Sequence, residues 1–385
     1  MKTMLTVTGY GEGNDKWMFI ASPIAGSIEP SDVENLLGDE IEQGQYNYDL
    51  FRFNQSGLNG EWENYCQHTE GFVLENGKGY LYAKREDVTL NFYGALYDGN
   101  SMDVDLDYDG SARLKGYNLV GNPFMTAATI NMDYYKMNED GNDVMPETSS
   151  VAIPALTGVI VEATAPNQQV TFTKSGARSR GNSESQGGLQ LTLSKDNAFQ
   201  DKAIVSFNEG SHLGKYIFNE NHAKLYITQD GSDYAIAYSD GQSEMPINFK
   251  ATENGSYTLT INPGSIEMDY LHLIDNMTGA DVDLLAAPSY TFNARTTDYT
   301  SRFRLVFSAN ENDNENENFA FISNDEIIIN GEGTVQMIDA LGRILFTQEY
   351  SPLNAHLSTL TIKPGMYVLQ LITSTETKTQ KIIVK

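Results

Sequence analysis

The sequence predicts an all-β protein built of three β-sandwich modules in tandem. Its 22 tyrosines and 17 phenylalanines occur with Thr, Val and Ile in short apolar runs. Gly, Asn and Asp interrupt these runs, which is typical of short strands joined by tight turns. Polar and apolar residues alternate within the runs, as in Gly255–Ile261, and this alternation indicates strands with one buried face. A chain of 385 residues also exceeds what one hydrophobic core usually organises.

Two polar segments divide the chain into the predicted modules. Residues 177–188 are rich in Gly, Ser and Arg, and residues 310–318 are wholly polar and acidic, so both are predicted linkers. The modules are therefore residues 1–176, 189–309 and 319–385. The basic stretch Ala177–Arg180 is interpreted either as a protease-sensitive site or as ordinary linker.

The first module contains an internal repeat. Three segments recur in the same order: Trp17–Gly26 with Tyr117–Thr126, Leu50–Asn54 with Tyr134–Asn138, and Gly79–Phe92 with Gly158–Phe172. This pattern predicts a duplicated β-unit whose two copies pack against each other. The offset between the copies shrinks along the chain, which predicts an insertion in the first copy near Ser56–His68. One helix is predicted, over Ser31–Gly44, because Ser31 and Glu34 have the spacing of a capping box.

The second module reads as strands throughout, and two packed sheets are the expected arrangement. Its predicted strands are Leu189–Ser194, Lys202–Phe207, Ala223–Thr228, Tyr234–Ser239, Gly255–Ile261, Tyr270–Asn276 and Arg302–Phe307.

The third module begins at Phe319 and continues with Gly333–Tyr350, a predicted hairpin whose turn lies at Asp339–Gly342. Pro364 and Gly365 then form a turn that starts a strand with Tyr367, Leu369 and Leu371 on one face. The final predicted strand is Lys378–Lys385.

The hairpin "IDALGR", the segment "PGMYVLQL" and the final "KIIVK" closely resemble the C-terminal sorting domain of the type IX secretion system of certain Gram-negative bacteria. The resemblance implies an immunoglobulin-like sandwich that takes passenger proteins across the outer membrane, from the periplasm to the cell surface or the extracellular space. The implied partners are the secretion machinery and a surface sortase that removes the domain and attaches the passenger to lipopolysaccharide. The implied recognition surface is the strand pair Gly365–Ile372 and Lys378–Lys385. The implied sorting residues are Gly342, Pro364, Gly365, Tyr367, Lys381 and Lys385.

The two upstream modules are similar to β-modules of large bacterial surface proteins. That similarity implies a non-enzymatic stalk or adhesive role, with any catalytic domain N-terminal to this sequence. The segment Met1–Gly26 has no apolar run of the kind found in secretory signal peptides, so the sequence is expected to be a fragment or mature form of a longer precursor. No segment has the length and apolarity needed to span a bilayer.

Composition excludes some function classes and leaves others open. The formal net charge of −27 repels phosphate backbones, so nucleic acid is an improbable partner. No cofactor is expected, with one alternative: Asp105, Asp107 and Asp109, followed by Gly110, have the spacing of a calcium loop. The same stretch also reads as a strand with outward aspartates, and position 12 of the loop would be Gly116 instead of glutamate.

Trp62, Cys66 and His68 are further candidate residues, and ordinary packing is the alternative for each. Trp62, in the predicted insertion, is a candidate for stacking on a sugar ring, which makes binding of glycans or host proteins the alternative function. Cys66 and His68 have the residue types of a nucleophile pair or of two metal ligands, but neither an orienting acid nor further ligands are apparent, so no catalytic residue is predicted. A hydrolase would require converging carboxylates with raised pKa values.

Overall fold

The computed structural model confirms the all-β class. It describes residues 2–11, 16–57, 60–175, 188–239, 244–264, 266, 268, 270–306, 320–323, 326–329, 333–339, 341–350, 355–358, 362–373 and 377–384. These residues form β-strands and a single 3-10 turn, Pro30–Asp32, and none of them lies in an α-helix. Apart from residue 188, both predicted linkers lie outside the described residues, so the division into three modules stays a prediction.

The chain divides into two compact units. The first comprises Met1–Asp240 with Asn262–Ile266, and the second comprises Gly241–Ile261 with Glu267–Lys385.

The first unit begins with the two copies of the repeat. The described strands of the first copy are β1 (Lys2–Val7), β2 (Met18–Ala21), β3 (Ser27–Ile28), β4 (Glu40–Glu42), β5 (Gln45–Tyr46), β6 (Tyr48–Phe53), β7 (Trp62–Asn64), β8 (Leu74–Glu75), β9 (Gly79–Lys84) and β10 (Val88–Tyr93). Those of the second copy are β11 (Ser101–Asp105), β12 (Tyr117–Gly121), β13 (Ala128–Ile130), β14 (Tyr134–Met137), β15 (Val144–Glu147), β16 (Gly158–Glu162) and β17 (Gln169–Lys174).

The four-stranded sheets of the two copies have the same strand order. The first copy has a four-stranded sheet in the order β2-β9-β6-β7, and the second has β12-β16-β14-β15, which are the corresponding strands in the same order. A smaller sheet completes each copy, with β1 pairing β10 in the first and β11 and β13 pairing β17 in the second. The turns after β2 and β12 also correspond. Ser22 Oγ accepts the N–H of Ile24 at 3.3 Å, and Asn122 Oδ1 accepts the N–H of Phe124 at 3.0 Å.

The two copies meet at a junction with approximate two-fold symmetry. At its centre, one β-bridge and one hydrogen bond from the first copy to the second each have a counterpart in the opposite direction, as in an isologous interface. The paired contacts are the β-bridges Ile20–Thr157 and Lys78–Val120, and the hydrogen bonds from Ala21 N–H to the Leu156 carbonyl and from Gly121 N–H to the Gly77 carbonyl, both 2.9 Å.

Glycine is required at the centre of this junction. A Cβ atom added to Gly121 would lie 2.4 Å from the Lys78 carbonyl oxygen and 2.6 Å from the Ala21 Cβ. We therefore expect Gly121→Ala to lower the free energy of unfolding by about 1–3 kcal/mol, because overpacking forces the backbone apart. Gly110→Ala is the matched control, since the nearest atom to its added Cβ is 3.9 Å away. Urea titration of both variants measures the difference, and equal stabilities would contradict the close approach.

The predicted helix over Ser31–Gly44 is wrong. The structure has only the 3-10 turn Pro30–Asp32 and, further on, the short strands β4 and β5. Glu34 does not close a capping box, because its backbone N–H and C=O both bond to Asn91 of β10 at 3.0 Å. Asn35 then adopts a left-handed backbone with φ 70°, which ends any helical run.

The main insertion in the first copy lies elsewhere than predicted. Residues 22–47 separate β2 from β6, whereas residues 122–133 separate the corresponding strands β12 and β14. The stretch around Ser56–His68 accounts for a smaller part of the excess, since residues 54–78 correspond to residues 138–157. Most of the excess is the 3-10 turn and the β4–β5 hairpin, which have no counterpart in the second copy.

Three hydrophobic clusters lie among the described residues of the first unit. One is formed mainly by the first copy and one by the second. A third includes Phe19 of the first copy and Ile160 of the second, together with Ile204 and Ile236 from later strands. The described later strands are β18 (Leu189–Lys195), β19 (Ala198–Ser206), β20 (Leu213–Gly214), β21 (Lys224–Gln229) and β22 (Ser232–Tyr238). The third cluster therefore joins both copies to the rest of this unit.

The second unit begins with two groups of paired strands. One group has the order β23-β28-β25-β26, and in the other β24 pairs β27. Their bounds are β23 (Glu244–Lys250), β24 (Gly255–Asn262), β25 (His272–Asp275), β26 (Ala280–Asp283), β27 (Ser289–Ala294) and β28 (Phe303–Val306).

Two further sheets in the second unit face each other. One has the order β29-β30-β33 and the other β32-β31-β34-β35. Their buried residues, among them Ile327, Met337 and Leu369, form one hydrophobic cluster. The strands are β29 (Ala320–Ser323), β30 (Glu326–Ile329), β31 (Gly333–Asp339), β32 (Ile344–Tyr350), β33 (Ala355–Ser358), β34 (Gly365–Ile372) and β35 (Thr377–Val384). This part of the chain is therefore a small two-sheet sandwich.

Candidate functional site

The strand pair predicted to be a recognition surface is formed by β34 and β35. The two strands pair antiparallel from Gly365–Val384 to Ile372–Thr377. β34 also pairs with β31 on its other side and buries Tyr367, Leu369 and Leu371. β35 therefore ends the order of described strands in this sheet.

The turn that starts β34 is fixed by Tyr367. Its hydroxyl donates a hydrogen bond to the Lys363 carbonyl oxygen at 2.6 Å, just before Pro364 and Gly365. Lys381 is exposed on β35. Lys385 lies outside the described residues.

Gly342 lies in the turn between β31 and β32, which Asp339 organises. Asp339 Oδ1 accepts the backbone N–H groups of Leu341 and Arg343, both at 2.9 Å, and Oδ2 accepts the Arg343 Nε at 2.7 Å. Gly342 has a left-handed backbone with φ 78°, a conformation that glycine adopts without strain. The turn thus holds one fixed shape.

The charge of Asp339 makes this turn sensitive to pH. The Arg343 backbone N–H, followed by its guanidinium, lowers the pKa of Asp339 below its usual 3.8. A lowered carboxyl pKa contributes stability above the usual value, and that contribution is lost as pH falls through the lowered pKa. We expect Asp339→Asn at pH 7 to speed amide exchange at residues 341–343 severalfold, because an uncharged amide accepts these N–H groups more weakly than the carboxylate does. Unchanged exchange at residues 341–343 would contradict this role; Asp281→Asn, at an exposed aspartate of another hairpin, is the control.

Trp62, the candidate sugar platform, is half-buried in β7. Its ring lies 5.0 Å from that of Phe53 and 6.3 Å from that of Phe218, edge-on in both cases. It also makes a hydrogen bond with the side chain of Tyr216. Trp62 therefore packs against the third hydrophobic cluster.

The candidate calcium residues bond to protein groups. Asp105 Oδ1 accepts the Gln169 amide at 2.6 Å, and Asp109 accepts the Ser56 and Ser111 hydroxyls at 2.7 and 2.6 Å. The Ser111 hydroxyl is the main reason why the pKa of Asp109 falls to about 2. Asp107 contributes its backbone carbonyl, which accepts the Gln55 amide at 2.7 Å. Within the described residues, no three His, Cys, Asp or Glu side chains are grouped as metal ligands.

Cys66 contacts tyrosine instead of a catalytic partner. Its thiol donates a hydrogen bond to the Tyr48 hydroxyl at 3.4 Å, and its side chain packs against the core of the first copy. The backbone N–H of His68 bonds to the carbonyls of Asn64 and Tyr65, which places His68 in a turn.

Buried ion pairs are the polar features that sequence reasoning missed. Lys215 Nζ lies 2.6 Å from Asp201 in the first unit, where burial raises the pKa of Asp201 and Lys215 opposes the rise. Arg302 and Asp275 form a second fully buried pair in the second unit. The sequence feature that could have predicted them is a charged residue within an apolar strand, such as Asp201 in β19.

The comparisons concern the last sandwich most directly. A family model described as a secretion system C-terminal sorting domain matches residues 315–385. That match confirms the resemblance. The sorting domain indicates export to the cell surface or the extracellular space and implies contact with the secretion machinery. In the part of the chain that the structure describes, no helix is both long and apolar enough to cross a membrane.

The other comparisons are less informative than the sorting domain. No curated protein matches the chain significantly. One solved structure, titled "Biofilm associated protein - BSP domain", aligns with 98% of this chain and 97% of its own at 9% identity and a TM-score of 0.20. A similarity at that TM-score supports no conclusion about fold or function.

Proposed function

We propose that residues 1–309 are a non-enzymatic stalk or adhesive segment that the sorting domain delivers to the cell surface. The observation that carries this proposal is the third hydrophobic cluster, which joins both copies of the repeat to β19 and β22 in one core. A shared core resists separation of its parts, which a spacer under mechanical force requires.

The buried charged groups support the same proposal. Burial raises the pKa values of Asp133, Glu162 and Asp201, the kind of shift that also marks catalytic acids. Each of these carboxylates is nevertheless engaged in the fold. Asp133 accepts the Ser149 N–H at 2.9 Å, Glu162 accepts the Gly214 N–H at 2.6 Å, and Asp201 accepts the Leu225 N–H at 2.7 Å. Such contacts hold strands together and favour a structural role for the acids.

We also propose that a surface sortase cleaves the sorting domain and joins the passenger to lipopolysaccharide. Intact-mass analysis of the protein from the outer surface of its native cell tests this. A mass ending near residues 310–319, with a heterogeneous glycolipid added, is the expected result. An unmodified chain through Lys385 at the surface would contradict cleavage, and the same chain inside the cell would contradict export.

A second candidate function is binding of glycans or host proteins. A groove of about 710 Å³ in the first unit favours it, with Trp17, Met18, Met137 and Asp140 among its lining residues. Ligand grooves of this size usually combine apolar side chains with a few polar groups. Trp17 lines this groove and Trp62 does not, so Trp17 is the aromatic residue to test.

Paired tryptophan variants separate binding from packing. We expect Trp62→Ala to lower the free energy of unfolding by about 2 kcal/mol or more, because its ring contacts Phe53 and Phe218. On a glycan array and a panel of host surface proteins, Trp17→Ala is expected to abolish any signal that Trp62→Ala retains. Absence of binding by the wild type would leave the spacer role alone.

A further inference from the structure

Exposed apolar side chains gather at one end of the sorting domain. Leu341, Ile344 and Leu345 are 79%, 55% and 47% exposed. The other large exposed hydrophobic residues of the described chain, such as Met4 and Leu285, are scattered singly. Scattered apolar residues are normal on a protein surface, whereas a cluster indicates an interaction site.

The three side chains lie on a rigid support. Asp339 fixes the backbone of the turn through the N–H groups of Leu341 and Arg343. The Asp339 carbonyl also accepts the Gly342 N–H at 2.9 Å, and the Asp339 N–H donates to the Arg343 carbonyl at 3.0 Å. A hairpin fixed in this way loses little conformational entropy when it binds, which favours affinity.

The pairing of β31 with β32 determines how a partner can use this surface. Met337 lies opposite Phe346, but Ile338 lies opposite Ile344, so Leu345 is the extra residue of a β-bulge. β32 ends the order of described strands in its sheet. A bulge on an outer strand twists the backbone away and discourages addition of another strand. Contact through the side chains of Leu341, Ile344 and Leu345 is therefore favoured over strand pairing.

We propose that Leu341, Ile344 and Leu345 form an apolar anchor that inserts into an apolar recess of the secretion machinery when the sorting domain is recognised. This inference rests on the proposed function, because it assigns the part of the domain that the export partner holds. A few apolar side chains centred in a contact commonly supply most of its binding energy. The anchor lies on the hairpin, apart from the strands β34 and β35.

Charge argues against a second copy of the chain as the occupant. Each copy carries a formal net charge of −27, so two copies repel each other. Residues 319–385 hold only six acidic and five basic residues of that total, so the sorting domain itself is close to neutral. An apolar recess on a different protein meets little electrostatic resistance at this end of the chain.

The test compares export of two full-length variants in the native cell. The anchor variant is Leu341→Ser with Ile344→Thr and Leu345→Ser. The control is Leu285→Ser, which removes a 46% exposed apolar side chain outside the sorting domain. We expect the surface-to-periplasm ratio of the anchor variant to fall at least about tenfold, the change produced by losing one strong contact. The control is expected to export normally. Both purified variants should unfold at the same urea concentration as the wild type, because the altered side chains are exposed.

Two results would overturn the anchor. The first is normal export of the anchor variant. If a chain lacking residues 377–385 is at the same time retained in the periplasm, the proposed function stays intact. If that truncated chain also reaches the surface, the proposed function itself fails. The other is photocrosslinking from position 341 that gives a product of twice the chain's mass, because the occupant would then be a second copy. Crosslinking to an outer-membrane protein identified as an export component supports the anchor.

Discussion

Deleting residues 377–385 is expected to leave the protein in the periplasm of its native cell. The deletion removes all of β35, whose pairing with β34 runs through eight register positions. It also takes Ile382 and Val384, which are 6% and 4% exposed, out of the core of the sorting domain. The uncovered β34 would then present unpaired backbone groups and buried apolar side chains to solvent. Immunoblots of surface, outer-membrane and periplasmic fractions measure the expected loss, which should be nearly complete.

A single substitution separates the strand from its charge. Lys381→Gln keeps β35 and removes an exposed cation. If the strand is what the sorting domain requires for export, this variant should still reach the surface. Retention of Lys381→Gln in the periplasm would show that the secretion machinery requires the positive charge of Lys381. Surface display of the truncated chain at the wild-type level would contradict the sorting role altogether.

Replacing Arg302 with methionine is expected to produce the largest stability loss of any single substitution considered. The Arg302 side chain is 1% exposed, and its Nε and Nη2 donate to the two carboxylate oxygens of Asp275 at 3.1 and 2.9 Å. Its guanidinium carbon also lies 4.4 Å from the centre of the Phe292 ring. Methionine leaves Asp275 as a buried charge without its cation, which typically costs about 3–5 kcal/mol. Urea unfolding of the full chain measures the loss.

The corresponding exposed pair provides the control. The Arg343 side chain is 71% exposed and pairs with Asp339 at 2.7 Å, so Arg343→Met is expected to cost less than about 1 kcal/mol. The double variant Arg302→Met with Asp275→Leu should recover part of the loss, because it removes the fully buried carboxylate, whereas Asp298, 3.8 Å from Arg302 in the wild type, keeps its charge. Equal losses for Arg302→Met and Arg343→Met would contradict the buried pair.

The all-β class and the repeat were predictable because both depend on local patterns. Alternation marks a strand wherever one face is buried, and two copies of one fold keep their apolar positions in the same order. The helix prediction failed because Glu34 finds its backbone partner in Asn91, far along the chain. Local capping signals do not reveal such a contact.

The candidate site was predictable only in part. The family resemblance identified the sorting domain from the segments around Gly342 and Tyr367, since these turn and strand residues are adjacent in sequence. The anchor on the β31–β32 hairpin could not be predicted from the sequence, because the exposure of Leu341 depends on how the sheets pack. The pair of Arg302 with Asp275 was missed for a similar reason. Its members are 27 positions apart, and nothing local says which charged residues will be buried together.

The junction of the first unit makes its repeat indivisible. Leu156 belongs to the second copy, yet its side chain is a member of the first copy's core. It has φ 63°, and its counterpart Gly77 has φ 89°, so both copies have a left-handed backbone at this position although the residues differ. That conformation costs leucine about 1–2 kcal/mol, which burial of its side chain offsets. The first copy alone would lack part of its own interior. The two halves therefore share one interior and are not exchangeable repeats.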